Sequence, residues 1–258
     1  VPDLEEFELP RLSRVSFRVN LPDQGAVTFK LSETFGSTIL RQTGVEEGLT
    51  QYLYPGQTSD VIQSDVSLRK SALSRLGEYI PICFGHVVPR GLDHILFVLG
   101  LFLLSLKSSI LLLQISAFTL AHTLTLIAGA FQIIDINASI VEPLIAASIV
   151  FIAVENIFFS NLNKWRTFIV FGFGLLHGLG FASVLAEFGL PTEQFLPALI
   201  GFNIGVELGQ LSVIIIAYLL IGLAFGKKSY YRTFLTIPAS CVIAIIGCWW
   251  VFERIFLS

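Results

Sequence analysis

The chain has 258 residues, of which 54% are hydrophobic and only 14% charged, against roughly 25% charged in soluble domains, so an ordinary water-soluble fold is set aside in favour of one embedded in a bilayer. A formal net charge of −3 with scattered basic residues sets nucleic acid aside as a partner. Cys83, Cys241 and Cys248 are an odd number, two of them in an apolar run, which argues against a disulfide framework; the absence of methionine removes the thioether ligands that suit Cu(I).

The chain opens at Val1 with neither an initiator methionine nor a signal peptide, as a processed or trimmed precursor would. Apolar and polar residues alternate over Val15 to Leu21 and over Ala26 to Leu31, with Pro22-Asp23-Gln24-Gly25 between them, a strand, turn, strand pattern. Ser37 to Gln42 and Gln51 to Tyr54, the latter stopped by Pro55-Gly56, supply further strands. Residues 1–66 are therefore expected to form a small β-rich domain, with room for further strands upstream of Val1.

Residues 67–88 read as an interfacial helix and linker, because Leu68 to Phe84 mix Arg69, Lys70, Arg75 and Glu78 with leucines and isoleucine. Pro81 and Pro89 are expected to break that helix. Residues 89–258 hold apolar runs at about 91–106, 110–131, 138–160, 166–187, 195–225 and 232–252, close to the roughly 20 residues that one crossing needs except for the short first run. The expected fold is an all-α polytopic membrane bundle of about six transmembrane helices behind the β-rich domain.

Of the eight Lys and Arg residues after Glu78, six (Lys107, Lys164, Arg166, Lys227, Lys228 and Arg232) fall in the first, third and fifth connections. The positive-inside rule makes that side cytoplasmic. The N-terminal domain and, after six crossings, the C-terminus are then extracytoplasmic, in a bacterial-type inner or plasma membrane. The bilayer itself is the first partner implied.

All four histidines (His86, His94, His122, His177) lie at or inside the membrane part, as do Asp93, Glu142, Glu155 and Glu207. An ionisable group at the bilayer centre costs at least about 2.5–3.5 kcal/mol, so such a set needs mutual pairing, water or bound cations. Imidazole and carboxylate together suit a divalent transition metal ion. With alternate spans running inwards and outwards, Asp93, His94, His122, His177 and Glu207 share the outer half of the membrane, Asp93 and His94 lying just past a break at Pro89-Arg90-Gly91 that His86 precedes. Glu155 sits nearer the cytoplasm, about 220° around its helix from Glu142, and with Asn156 has a second reading as a structural polar clasp. Glu142 reads first as an interhelical hydrogen-bonding group, and Cys83 as an apolar interfacial residue.

Asn203, Glu207 and Gln210 recur at i, i+4 and i+7 and form a lining stripe on one helix face. Ser116, Thr119 and Thr123 make a hydroxyl stripe, and Gly172, Gly174, Gly178 and Gly180 flank His177; both read as packing surfaces.

The segment from His86 through Asp93-His94-Ile-Leu-Phe resembles the opening motif of the HupE/UreJ family of nickel and cobalt permease-like proteins. Ala117-Phe-Thr-Leu-Ala-His122, Val154-Glu155-Asn156, Phe173-Gly-Leu-Leu-His177-Gly-Leu-Gly-Phe and Gly201-Phe-Asn-Ile-Gly-Val-Glu207-Leu-Gly-Gln are similar to its later helix motifs, in order, over roughly residues 80–225. Six residues separate His86 from Asp93 where the family usually has five, which looks like a divergent branch carrying an extra extracytoplasmic domain.

The resemblance implies a transporter or permease for a divalent ion (Ni, Co or Zn) with His86, Asp93, His94, His122, Glu155, His177 and Glu207 as metal ligands. A second reading of the same residues is a membrane-embedded zinc-type hydrolase or intramembrane protease, with Asp93 or Glu207 as its base. A third is a scaffold or sensor whose β domain binds an extracytoplasmic protein partner.

Overall fold

A computed structural model describes residues 15–16, 26–42, 49–63, 72–131, 133–134, 136–188 and 192–257. The chain divides into two compact units, Val1–Arg69 and Lys70–Ser258.

In the first unit, β2 (Thr38–Arg41) and β3 (Thr50–Leu53) form an antiparallel pair with Ile39 opposite Tyr52, while β1 (Ala26–Val27) pairs with β4 (Ile62–Gln63). Beyond β1 the chain stays beside the segment before β4, through an isolated bridge from Lys30 to Thr58 and a hydrogen bond from the Ser59 amide to the Phe29 carbonyl. The strand expected over Ala26 to Leu31 thus has its partner in residues 56–63, a strand that the sequence did not suggest. Most of the other expected strand, Val15 to Leu21, lies outside the described residues. The stop at Pro55-Gly56 is a turn in which the Gln57 amide bonds the Tyr54 carbonyl and Gly56 takes φ +78°, the arrangement a Pro-Gly centre favours. Leu53 is fully buried and Leu31 nearly so.

The second unit is helical: α1 (Ala72–Val87), α2 (Leu92–Leu104), α3 (Ser108–Ala130), α4 (Ala138–Phe158), α5 (Arg166–Phe188), α6 (Thr192–Ala217), a π-helical turn (Tyr218–Gly222) leading into the short α7 (Leu223–Phe225), a second π turn (Arg232–Thr236), and α8 (Ile237–Phe256). Among the described residues four helices are long and apolar enough to cross a membrane: Ser108–Gly129, Ala138–Phe158, Leu199–Phe225 and Arg232–Phe256. They mark the chain as an integral membrane protein. A fifth crossing is added if Tyr79–Val87 and Leu92–Leu104, bent by 69° at their junction, are taken together, and Arg166–Gly180 is a shorter apolar helix.

The run expected to cross first is α2 alone, whose 13 residues span about 20 Å, short of the roughly 30 Å hydrocarbon core. Its length is explained by its place. It touches α1, α3, α4, α6 and α8, and His94, Phe97, Val98, Leu101, Phe102 and Leu103 along it are buried; a helix apolar on all sides belongs at the centre of a bundle. The break before it is at Gly91, where a Cβ would strike the His86 carbonyl and the Val87 backbone. Pro81, in contrast, does not break α1: the carbonyl four residues back is that of Gly77, which is exposed with open space around it. The expectation of a break at both prolines is corrected to a break after Val87 only.

The closest helix pairings are α3 with α5, α1 with α6, and α4 with α8, none of them sequence neighbours. Glycines permit the first two. Gly174 and Gly178 lie against the Phe118 and His122 carbonyls of α3, and Gly205 and Gly209 against Ile80, Cys83 and Val87 of α1, the close backbone approach that small residues allow between membrane helices.

Candidate metal centre

Asp93 and His94 occupy the first turn of α2, immediately after the break. There the unpaired amides and helix dipole favour a carboxylate. One Asp93 oxygen accepts from the His94 amide at 2.9 Å and lies 3.1 Å from His94 Nδ1. A carboxylate only accepts, so His94 Nδ1 carries the proton and Nε2 keeps its lone pair. That Nε2 is buried with no hydrogen-bond partner among the described residues.

Three other histidines surround this ring. Ring centroids lie 5.3 Å away for His86, 6.0 Å for His122 and 5.0 Å for His177. α1 brings His86 from the near side of the break, α3 brings His122, and α5 brings His177. His122 is fully buried between Phe118 and Phe202, stacked on the latter at 5.5 Å and 12°, and both its nitrogens lack hydrogen-bond partners among the described residues. His177 is 2% exposed, with Nε2 3.2 Å from the Ser148 hydroxyl of α4 and Nδ1 buried without a hydrogen-bond partner.

A buried polar atom left without a partner costs about 1–3 kcal/mol. A layer containing several such nitrogen atoms suits a cation that takes their lone pairs. Asp93, His94 and His177 each offer one ligand atom, and the three lie within 4.8 Å of one another. Atoms bound at about 2.1 Å around one tetrahedral ion sit roughly 3.4 Å apart, so holding a single ion would require the three side chains to draw together and the Asp93 carboxylate to exchange its bond to His94 Nδ1 for the ion. The donors are imidazole nitrogen and carboxylate oxygen, the set that suits Zn, Ni or Co. Cys83 adds no sulfur to this set: it is buried against Gly205 of α6.

The two remaining expected ligands are held elsewhere. Glu207 accepts a hydrogen bond from Ser116 at 2.8 Å. With it, Gln210 pairs with Thr119 and Asn203 with Thr123, so the polar stripe of α6 and the hydroxyl stripe of α3, which the sequence presents separately, face one another. Glu155 pairs with Arg166 at 3.1 Å, where the guanidinium is 1% exposed and also donates to Asn156. Asn156 in turn donates to the Gly100 carbonyl and to Ser240. Arg232 caps the end of α4 by donating to the carbonyls of Asn156, Ile157 and Phe159 at 2.8–3.0 Å, the role a cation plays at a helix C-terminus. Glu142 is exposed at the start of α4, and its carbonyl accepts from Arg254.

Between the histidine layer and this clasp lie Phe97, Leu101, Phe102, Phe118, Ile149 and Ile152, all at most 1% exposed. Phe97 and Phe118 contact His177 directly, at 5.3 and 5.0 Å between ring centroids. Sequence reading missed Ser148, Phe202 and the partnership of Arg166. For Arg166 a signal existed: it opens α5 eleven residues after Glu155 near the end of α4, across a short loop. For Ser148 there was none beyond its i+7 relation to Glu155.

No curated protein and no solved structure matches the chain. A family model described as HupE / UreJ protein matches residues 63–254, extending at both ends past the segments that carry the sequence resemblance and taking in nearly the whole helical unit. The chain belongs to the HupE/UreJ family.

Proposed function

We propose that the protein transports a divalent transition metal ion of the nickel or cobalt type, taken up from the extracytoplasmic side and bound in the membrane by Asp93, His94 and His177, with His86 at the entrance and His122 beside the site. The observation that carries this reading is the convergence of three ligand atoms within 4.8 Å among buried imidazoles with uncommitted nitrogens. Membership of the HupE/UreJ family, which suggests a nickel or cobalt permease-like function, supports the choice of ion. The Asp93 side chain, 25% exposed, gives the site its opening.

In this reading α1 and α2 together form the first of six crossings, and both the N-terminal unit and the C-terminus are extracytoplasmic. Glu155 is then a structural member of the clasp in the conformation described, and inward release requires Phe97 and Phe118 to move from beneath His177. Purified protein in sealed vesicles is expected to take up Ni²⁺ or Co²⁺ at a rate that His94→Ala and His177→Ala abolish; uptake equal to that of empty vesicles refutes the proposal.

The aromatic and aliphatic layer below the site favours one alternative, a membrane-embedded metal-dependent hydrolase, because it separates the site from the Arg166 clasp. Metal-loaded protein that cleaves a peptide or ester and moves no ion would select that alternative.

A further inference from the structure

Ser148 is an isolated hydroxyl in an apolar stretch of α4, 1% exposed. Its oxygen lies 2.6 Å from the Ile145 carbonyl and 3.2 Å from His177 Nε2. A hydroxyl has one proton to place. Were it directed at His177, two oxygens would face each other at 2.6 Å with no hydrogen between them, well inside their contact distance. The proton therefore belongs on the bond to Ile145, the back-bond that helical serines make to the preceding turn. Ser148 then presents a lone pair to His177, and only an Nε2–H satisfies it. The neutral imidazole so fixed has its free lone pair on Nδ1, the atom that is buried without a hydrogen-bond partner among the described residues.

We infer that Ser148 is a positioning residue that locks His177 in the Nε2–H tautomer and makes Nδ1 its metal-binding atom. The two histidines of the site are thereby set in opposite senses. In the conformation described, Asp93 accepts from His94 Nδ1, a bond the carboxylate gives up if it joins the ion, whereas Ser148 holds His177 through Nε2 and leaves Nδ1. Such partners of a ligand's far nitrogen orient the ring, and their loss typically weakens metal binding 10–100-fold. The metal-binding half of this inference rests on the reading proposed above; the tautomer half does not.

The test separates the two. With only four histidines in the chain, ¹⁵N-histidine labelling of the metal-free protein in bilayers resolves the ring nitrogens, and His177→Gln identifies the signals of His177. Wild type is expected to show His177 protonated on Nε2 alone. Ser148→Ala is expected to show a mixture of tautomers and a Co²⁺ affinity at least about tenfold weaker, and Ser148→Thr, which keeps the hydroxyl, restores both. His177 protonated on Nδ1 in wild type overturns the inference, as does a Ser148→Ala protein with unchanged tautomer and unchanged affinity. Wild type that binds no Co²⁺ while His177 is protonated on Nε2 overturns the metal reading and supports the hydrogen-bond polarity.

Discussion

His94 is within ring contact of each of the other three histidines, and its imidazole is the one whose proton position Asp93 dictates. Replacing it by alanine removes a proposed ligand and leaves the Asp93 carboxylate without its imidazole donor. His94→Ala is therefore expected to weaken Ni²⁺ or Co²⁺ binding by at least about 100-fold, more than the loss of an orienting neighbour does, as titration calorimetry would read it. Glu207→Gln is expected to change binding by less than about threefold, because Glu207 is engaged with Ser116 and a glutamine oxygen can accept the same bond; a loss comparable to that of His94→Ala would place Glu207 in the ligand set after all. The convergence of Asp93, His94, His122 and His177, with His86 just before the break, was legible in the sequence because depth along alternately directed helices is a one-dimensional quantity. The same depth reading put Glu207 in that layer, whereas the structure pairs it with Ser116. Partnership across helices is not one-dimensional. Nothing in the spacing of Glu155 showed that Arg166 folds back onto it, and a single serine among alanines and isoleucines gave no sign that it supports a histidine.

At the level of helices, hydropathy located the apolar segments but not their roles. It read α2 as a weak first crossing because it is short, although most of its length is buried and it touches α1, α3, α4, α6 and α8. It treated Arg166 and Arg232 as loop charges, whereas the first is buried in an ion pair and the second closes the end of α4. Breaking such a buried pair by removing one partner costs about 3–5 kcal/mol, while replacing both by apolar residues is often nearly neutral. Arg166→Leu and Glu155→Leu alone are each expected to lower thermal stability in detergent strongly, and the double variant to recover most of the loss; a double variant as unstable as the sum of its parts would show the two residues to be independent. The glycines of α5 give a matched pair. A methyl at Gly178 meets the His122 carbonyl and the Thr125 hydroxyl, whereas one at Gly172 meets nothing within 4 Å. Gly178→Ala is expected to destabilise by about 1–3 kcal/mol through overpacking, and Gly172→Ala to be neutral or stabilising by about 0.5–1 kcal/mol through helix propensity, measured as shifts in unfolding midpoint.

For the molecule as a whole, the 69° bend between α1 and α2 defines two topologies, one broken crossing or a re-entrant pair. The exposed lysines decide between them. Once Arg166 and Arg232 are recognised as structural, the topological signal rests on Lys107, Lys164, Lys227 and Lys228, all exposed. Lys107 follows α2, and Lys30 belongs to the N-terminal unit and is also exposed. A broken crossing puts Lys30 and Lys107 on opposite sides of the membrane; a re-entrant pair returns the chain to the side it came from and puts them on the same side. An amine-reactive reagent that cannot cross the bilayer, applied to right-side-out vesicles and read by peptide mass spectrometry, is expected to modify Lys30 and spare Lys107, Lys164, Lys227 and Lys228, with the reverse in inverted vesicles. Labelling of Lys30 together with Lys107 would reduce the crossings to those after α2 and make the break at Gly91 the tip of a re-entrant hairpin. Asp93 and His94, one turn past that tip, would then be reached from within the bundle, and the ion's route would have to be redrawn around the α3 and α6 polar seam.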